Sequence, residues 1–93
     1  MARYLHIGFG PKTLTKDQRD ALEGVFNDAP DWLRYAGNAW ILWTSQTPQD
    51  WTETIKALPN SSDLPGFVIV PIHAEEKWGS ATKMIWDWFN KER

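Results

Sequence analysis

Residues 3 to 9 alternate, with Leu5, Ile7 and Phe9 on one side and Tyr4, His6 and Gly8 on the other. A period of two predicts a half-buried strand, and Gly10-Pro11 ends it. Thr15 then opens a helix. Its hydroxyl can cap free backbone N–H groups, and Gln18 completes a capping-box pattern three residues on. Leu14, Ala21, Leu22, Val25 and Phe26 form the apolar stripe of this helix, with Gly24 a mild weakness in it. Asn27-Asp28-Ala29-Pro30 stops it, because Pro30 disfavours helical geometry in the residue before it.

Trp32 to Tyr35 reads as a short strand and Ala39 to Thr44 (AWILWT) as another, rich in β-favouring residues. Gly37-Asn38 between them is a turn signal, so the two form a hairpin. Thr47-Pro48-Gln49-Asp50 is a second helix start: a Thr cap, a Pro at the first helical position and an acid in the first turn. Trp51, Ile55 and Leu58 share one face of it, and Pro59 ends it. A polar loop, NSSDLPG, leads to the apolar run FVIVPI, a strand whose Pro71 marks a sheet edge. His73 to Gly79 is a charged connection. Ser80 can cap a last helix, with Ala81, Met84, Ile85, Trp88 and Phe89 inward and Trp86 elsewhere. Lys91 and Arg93 suit the dipole of its last turn.

The order β-α-β-β-α-β-α contains the split β-α-β, or ferredoxin-like, pattern followed by an extra helix. The expectation is one α+β domain over residues 1–93: a four-stranded antiparallel sheet with two helices on one face. Alternation puts Tyr4, His6, Trp40 and Leu42 on the opposite face, and Ile41 and Trp43 in the core with Leu5, Ile7 and Phe9. Burying ~400 Å² of that second face contributes roughly 10 kcal/mol before association costs. A twofold contact between copies would cover it, with Tyr4, His6, Trp40 and Leu42 as the dimer or binding surface. The C-terminal helix folding back over it, in a monomer, is the alternative.

Composition narrows the chemistry. The chain of 93 residues has a net charge of −2, which argues against strong non-specific binding to nucleic acid. It has no cysteine, so no disulfide framework, cysteine-type zinc site or thiol nucleophile exists. No stretch has the length of a signal-peptide core or approaches ~18 apolar residues, so a cytoplasmic protein without membrane contact is expected. Seven tryptophans are the unusual number. Each buries roughly 150–250 Å², which lets a small chain build a core.

HIGFGPKTLTKDQ has the flavour of a phosphate loop in Gly8, Gly10, Lys12 and Thr13, but not the G-x-x-x-x-G-K-[ST] spacing. Pro11 also removes a donor such a loop would need, so a plain turn is the reading. His6 on the first strand and His73 in the connection just past the fourth, two strands expected to be neighbours, could hold a metal with Glu75 or Glu76. Two unrelated histidines is the better reading, and no metal or cofactor is expected. Ser45, Ser61, Ser62 and Ser80 all sit at helix starts or loops, so no Ser-His-Asp set can be assigned. Against the RNA-recognition pattern [KR]-G-[FY]-[GA]-[FY]-V-x-[FY], Gly37, Ala39, Trp40 and Ile41 fit and Trp43 is aromatic at the last place. The leading base is absent and Asn38 replaces an aromatic.

YLHIGFG, DWLRYAGNAWILWTS, TPQDWTETIKAL, FVIVPI and WGSATKMIWDWFNKER together resemble the SinR-like proteins, relatives of the small CRISPR-adaptation nuclease-like subunit. The resemblance runs over nearly the whole chain, and the hairpin and tail carry most of it. It implies a ferredoxin-like homodimer. In the nuclease-like branch, an aspartate at the end of the first strand is associated with metal-dependent phosphodiester cleavage. Here that stretch is Ile7-Gly8-Phe9-Gly10, with no carboxylate, and Asp17 is the nearest acid. The expected function is therefore a small non-enzymatic interaction or scaffold protein. A single-stranded nucleic-acid binder and a residual metal-dependent nuclease are the alternatives.

Overall fold

The computed structural model describes residues 1–73, 79–80 and 82–93. Its elements are β1 (Arg3–Gly10), α1 (Lys16–Phe26), β2 (Asp31–Ala36), β3 (Ala39–Thr44), α2 (Pro48–Lys56), a short 3-10 turn (Ser61–Asp63), β4 (Gly66–Ile72) and α3 (Lys83–Phe89). The strands form one antiparallel sheet in the order β2-β3-β1-β4, the ferredoxin-like arrangement, with α3 added. Both long helices start as the sequence predicts. Thr15 and Thr47 each accept a hydrogen bond from the backbone N–H three residues on, and Gln18 and Asp50 accept in return from the cap N–H groups. Two donors per helix start are thereby satisfied.

The hairpin turn closes with neither Gly37 nor Asn38 at positive φ. A bulge between Arg34 and Ala36 takes up the irregularity instead. Asn38 also explains the opening loop. Its Oδ1 accepts from the Leu14 N–H at 3.0 Å, and its Nδ2 donates to the carbonyls of Lys12 at 2.7 Å and Phe9 at 3.3 Å. Residues 9–14 are thus a turn pinned to the hairpin tip by one amide side chain.

The core lies between the sheet and the α1–α2 layer. It contains Leu5, Ile7, Phe9, Leu14, Leu22, Phe26, Trp40, Leu42, Trp51 and Ile55. Trp40 and Leu42 therefore occupy the opposite face from the one alternation predicts. The register is the cause: Trp40 pairs with Ile7 and Leu42 with Leu5, and residues directly opposite share a face. Trp40 sits edge-on to Phe9 and Phe26, and its indole N–H donates to Glu23 at 3.0 Å. Ile41 and Trp43 turn to the other face.

Three further expectations change. Ala21 is exposed, outside the buried stripe of α1. The cap position of α3 is Thr82 rather than Ser80, and its side chain makes no capping bond. Starting the helix at Lys83 turns Met84 outward, at 67% exposure, and leaves Ile85, Trp88 and Phe89 inward. Ala81 and most of the charged connection lie outside the described residues. Among those described, no helix is long and apolar enough to cross a membrane.

Trp40 fills the centre of the core and has no exposed surface. Trp40→Ala is expected to destabilise the fold by about 3–5 kcal/mol, measured by urea unfolding.

Candidate interaction surface

The second sheet face carries Tyr4, His6 and Gly8 from β1, Ile41 and Trp43 from β3, Leu33 from β2, and Val68, Val70 and Ile72 from β4. One half of it is roofed by α3. Trp88 packs there with Leu33, Ile41, Tyr4, Ile72, Ile85 and Phe89. Tyr4 is the hub, with ring centroids 4.8 Å from Trp43, 5.7 Å from Trp88 and 5.7 Å from Phe89. The face thus meets the extra helix of its own chain, so a second copy is not required to cover Tyr4.

Arg93 latches this roof. Its guanidinium lies 4.5 Å from the Trp88 ring centroid and donates to Asp31 at 2.8 Å, the Tyr4 hydroxyl at 3.1 Å and the Trp88 carbonyl at 2.7 Å. Lys91 adds a longer contact to Asp31 at 3.4 Å. The cations of the tail thus serve a carboxylate on β2 as well as a terminal carbonyl of α3. Burial pushes the Asp31 carboxyl up, but the Arg93 hydrogen bond, the Trp88 indole, the Lys91 charge and the Trp32 N–H outweigh it and hold the group below its ordinary value. The Trp88 Nε1 is buried and has no well-formed hydrogen bond of its own.

The other half of the face is not roofed. His6 and Tyr35 meet there through a hydrogen bond between His6 Nε2 and the Tyr35 hydroxyl. Tyr35 reaches His6 across β3 from the bulge of β2. Gly8 leaves room for the imidazole: a Cβ there would lie 3.0 Å from His6 Cε1. Burial lowers the His6 pKa and raises that of Tyr35. Beside this pair, Val68 is 62% exposed and Val70 46% exposed.

Of the residues expected at the surface, Tyr4 lies under α3 and His6 is half-buried in the open half. Trp40 and Leu42 are fully buried in the α1–α2 core and can contact no partner. Their burial removes the base-stacking position that the RNA-recognition comparison assigned to Trp40. Sequence reasoning missed Val68 and Val70 because FVIVPI is apolar at every position, and no alternation marks its outer side. His6 pairs with Val70, so His73, one residue past the end of β4, lies three residues farther along the chain and the two histidines are not opposite each other. Among the described residues no cluster of three or more His, Asp or Glu is placed to hold a metal, and Glu75 and Glu76 lie outside them. Asp17 sits at the exposed start of α1, beside a cavity of about 270 Å³ that Asp63 also lines.

Scans against family models, curated proteins and solved structures find no match to this chain.

Asp31 titrates below its ordinary value of 3.8 in the folded state, so its contribution is complete above that pH and is lost as pH falls through the lower value. Near-UV circular dichroism from the Tyr4–Trp88 cluster should fade over that acid range, and Asp31→Asn should weaken the same signal at neutral pH. His6, desolvated by its neighbours, should titrate by NMR below 6.5. Tyr35→Ala, which uncovers the ring, should return its midpoint toward 6.5.

Proposed function

We propose that this chain is a small non-enzymatic interaction protein that self-associates as a homodimer through the unroofed half of its second sheet face and the adjoining β4 strand. The observation that carries this reading is the exposure of Val68 at 62% and Val70 at 46%, side by side on an edge strand. An edge strand with apolar, unshielded side chains is a template for pairing with another chain. The surface differs from the one alternation picks out: His6 stays in it, Trp40 and Leu42 leave it, and Tyr4 is already spoken for by α3.

The kinship with SinR-like proteins is part of the proposal. It supports a dimer, and it rests on the hairpin DWLRYAGNAWILWTS and the closing WGSATKMIWDWFNKER. Metal-dependent cleavage would need oxygen ligands at the scissile phosphate. The end of β1, Ile7 to Gly10, offers side chains with none. A cytoplasmic setting is part of the same proposal.

Light scattering should give twice the chain mass of 10.8 kDa. Val68→Lys with Val70→Lys should return it to the monomer mass with an unchanged far-UV spectrum, since both positions are exposed. A monomer at high micromolar concentration would remove the dimer. Quenching of tryptophan fluorescence by single-stranded oligonucleotides at low salt would move the reading to nucleic-acid binding.

A further inference from the structure

The pairing pattern fixes which backbone groups of β4 are free. The Phe9 N–H donates to the Asn38 carbonyl at 2.9 Å, toward β3. In an antiparallel strand the direction alternates, so Leu5, Ile7 and Phe9 address β3 while Tyr4, His6, Gly8 and Gly10 address β4. Their partners Gly66, Val68, Val70 and Ile72 complete that ladder. Phe67, Ile69 and Pro71 therefore turn their backbone groups away from β1. Pro71 fits this phase, because it has no N–H to offer the ladder.

The free edge is consequently short and polar in a defined way. Phe67 and Ile69 each present one N–H and one C=O, and Pro71 presents a C=O alone. Pro65 likewise has no N–H. Among the described residues no strand takes up these groups. A groove of about 360 Å³ between β4 and α2 runs along the same edge, lined by Phe67, Ile69, Thr52, Lys56 and Leu64.

Resting on the dimer reading, we infer that the partner is a second copy whose β4 pairs antiparallel with this one about a twofold axis at Val68, joining the two sheets into one of eight strands. In this register Phe67 of each copy faces Ile69 of the other, and all four free N–H groups find carbonyls. Sliding the axis to Ile69 would set each Phe67 against a Pro71 that returns no hydrogen bond, whereas with the axis at Val68 Pro71 falls opposite Pro65 at the ends of the pairing, where neither has an N–H to leave unpaired. The side chains agree with the choice. Val68 meets its own symmetry mate on the unroofed face, where the pair lacks direct hydrogen bonds and side chains come closest. Val70, exposed, faces Gly66, which has no side chain to collide with it. Phe67 and Ile69 form aromatic–β-branched pairs on the other face, over the groove.

The test exploits the absence of native cysteine. Val68→Cys places two thiols on directly opposed residues with Cα atoms about 4.5 Å apart, inside the range a disulfide bridges. Oxidised glutathione should convert this variant to a covalent dimer on a non-reducing gel. Val70→Cys alone should stay monomeric on the gel, because its thiols lie opposite Gly66. A dimer by light scattering that cross-links only when Val68→Cys and Val70→Cys are mixed would overturn the register in favour of an Ile69 axis. A dimer that cross-links in neither way, and whose Phe67 and Ile69 amides exchange freely, would overturn β4 pairing while leaving self-association standing. A monomer would overturn both.

Discussion

The pairing of β3 with β1 is the constraint on which the rest depends. AWILWT carries apolar side chains on both sides, so β3 can only be a central strand of a sheet covered on both faces. Setting Trp40 opposite Ile7 puts the largest side chain where α1 and α2 can enclose it. The same register necessarily delivers Ile41 and Trp43 to the other face, and that face then needs a cover. α3 exists in this fold to meet that demand. Its seven residues form a helix too short to be stable alone. Trp88 and the Arg93 latch hold it down against Tyr4 and Asp31.

Much of this was legible in the chain. The two threonine caps, the Gly-Asn turn and the order of elements are local signals, and local chemistry decides them. The phase of β3 was not legible, for a physical reason. Alternation identifies a face only when one set of residues is polar, and in AWILWT neither set is. The one polar residue, at the end of the strand, carries the clue: Thr44, buried at 1% exposure, accepts from the Trp51 indole at 3.3 Å and belongs to the same side as Trp40 and Leu42. One hydroxyl demanding a partner on α2 fixes the phase, but only once α2 is known to lie above it. Asn38 is a similar case. As a turn residue it was evident, but its hold on Lys12, Phe9 and Leu14 depends on loops brought together from 24 to 29 residues away.

The tryptophans divide by what their N–H groups require. Trp40 reaches Glu23, Trp51 reaches Thr44, and Trp32 reaches Asn27 at 2.9 Å. Each of these rings is fixed in place by a polar partner as well as by packing. Among the described residues Trp88 differs from these three, buried at 6% exposure with its N–H poorly served. Its stabilisation comes instead from the Tyr4 and Phe89 rings and the Arg93 guanidinium over its face. α3 is also short and lacks a side-chain capping bond, so the roof it forms is held less firmly than the α1–α2 layer, whose helices both carry capping boxes. The sheet is thus asymmetric in strength as well as in composition.

That asymmetry bears on where a partner would act. The two edges of the sheet are β2 and β4. β2 is tied to the tail by the ion pairs at Asp31, and its bulge at Tyr35 interrupts a straight ladder, which discourages another strand. β4 has neither guard over Phe67 to Ile69. Pro71 blunts one end of it and Pro65 the other, leaving room for a short pairing of fixed length. Prolines at both limits of an otherwise open edge restrict how far a partner strand can slip. An edge guarded at its ends and bare in its middle is better suited to one specific register than to indiscriminate strand addition, and the exposed valines sit in that middle.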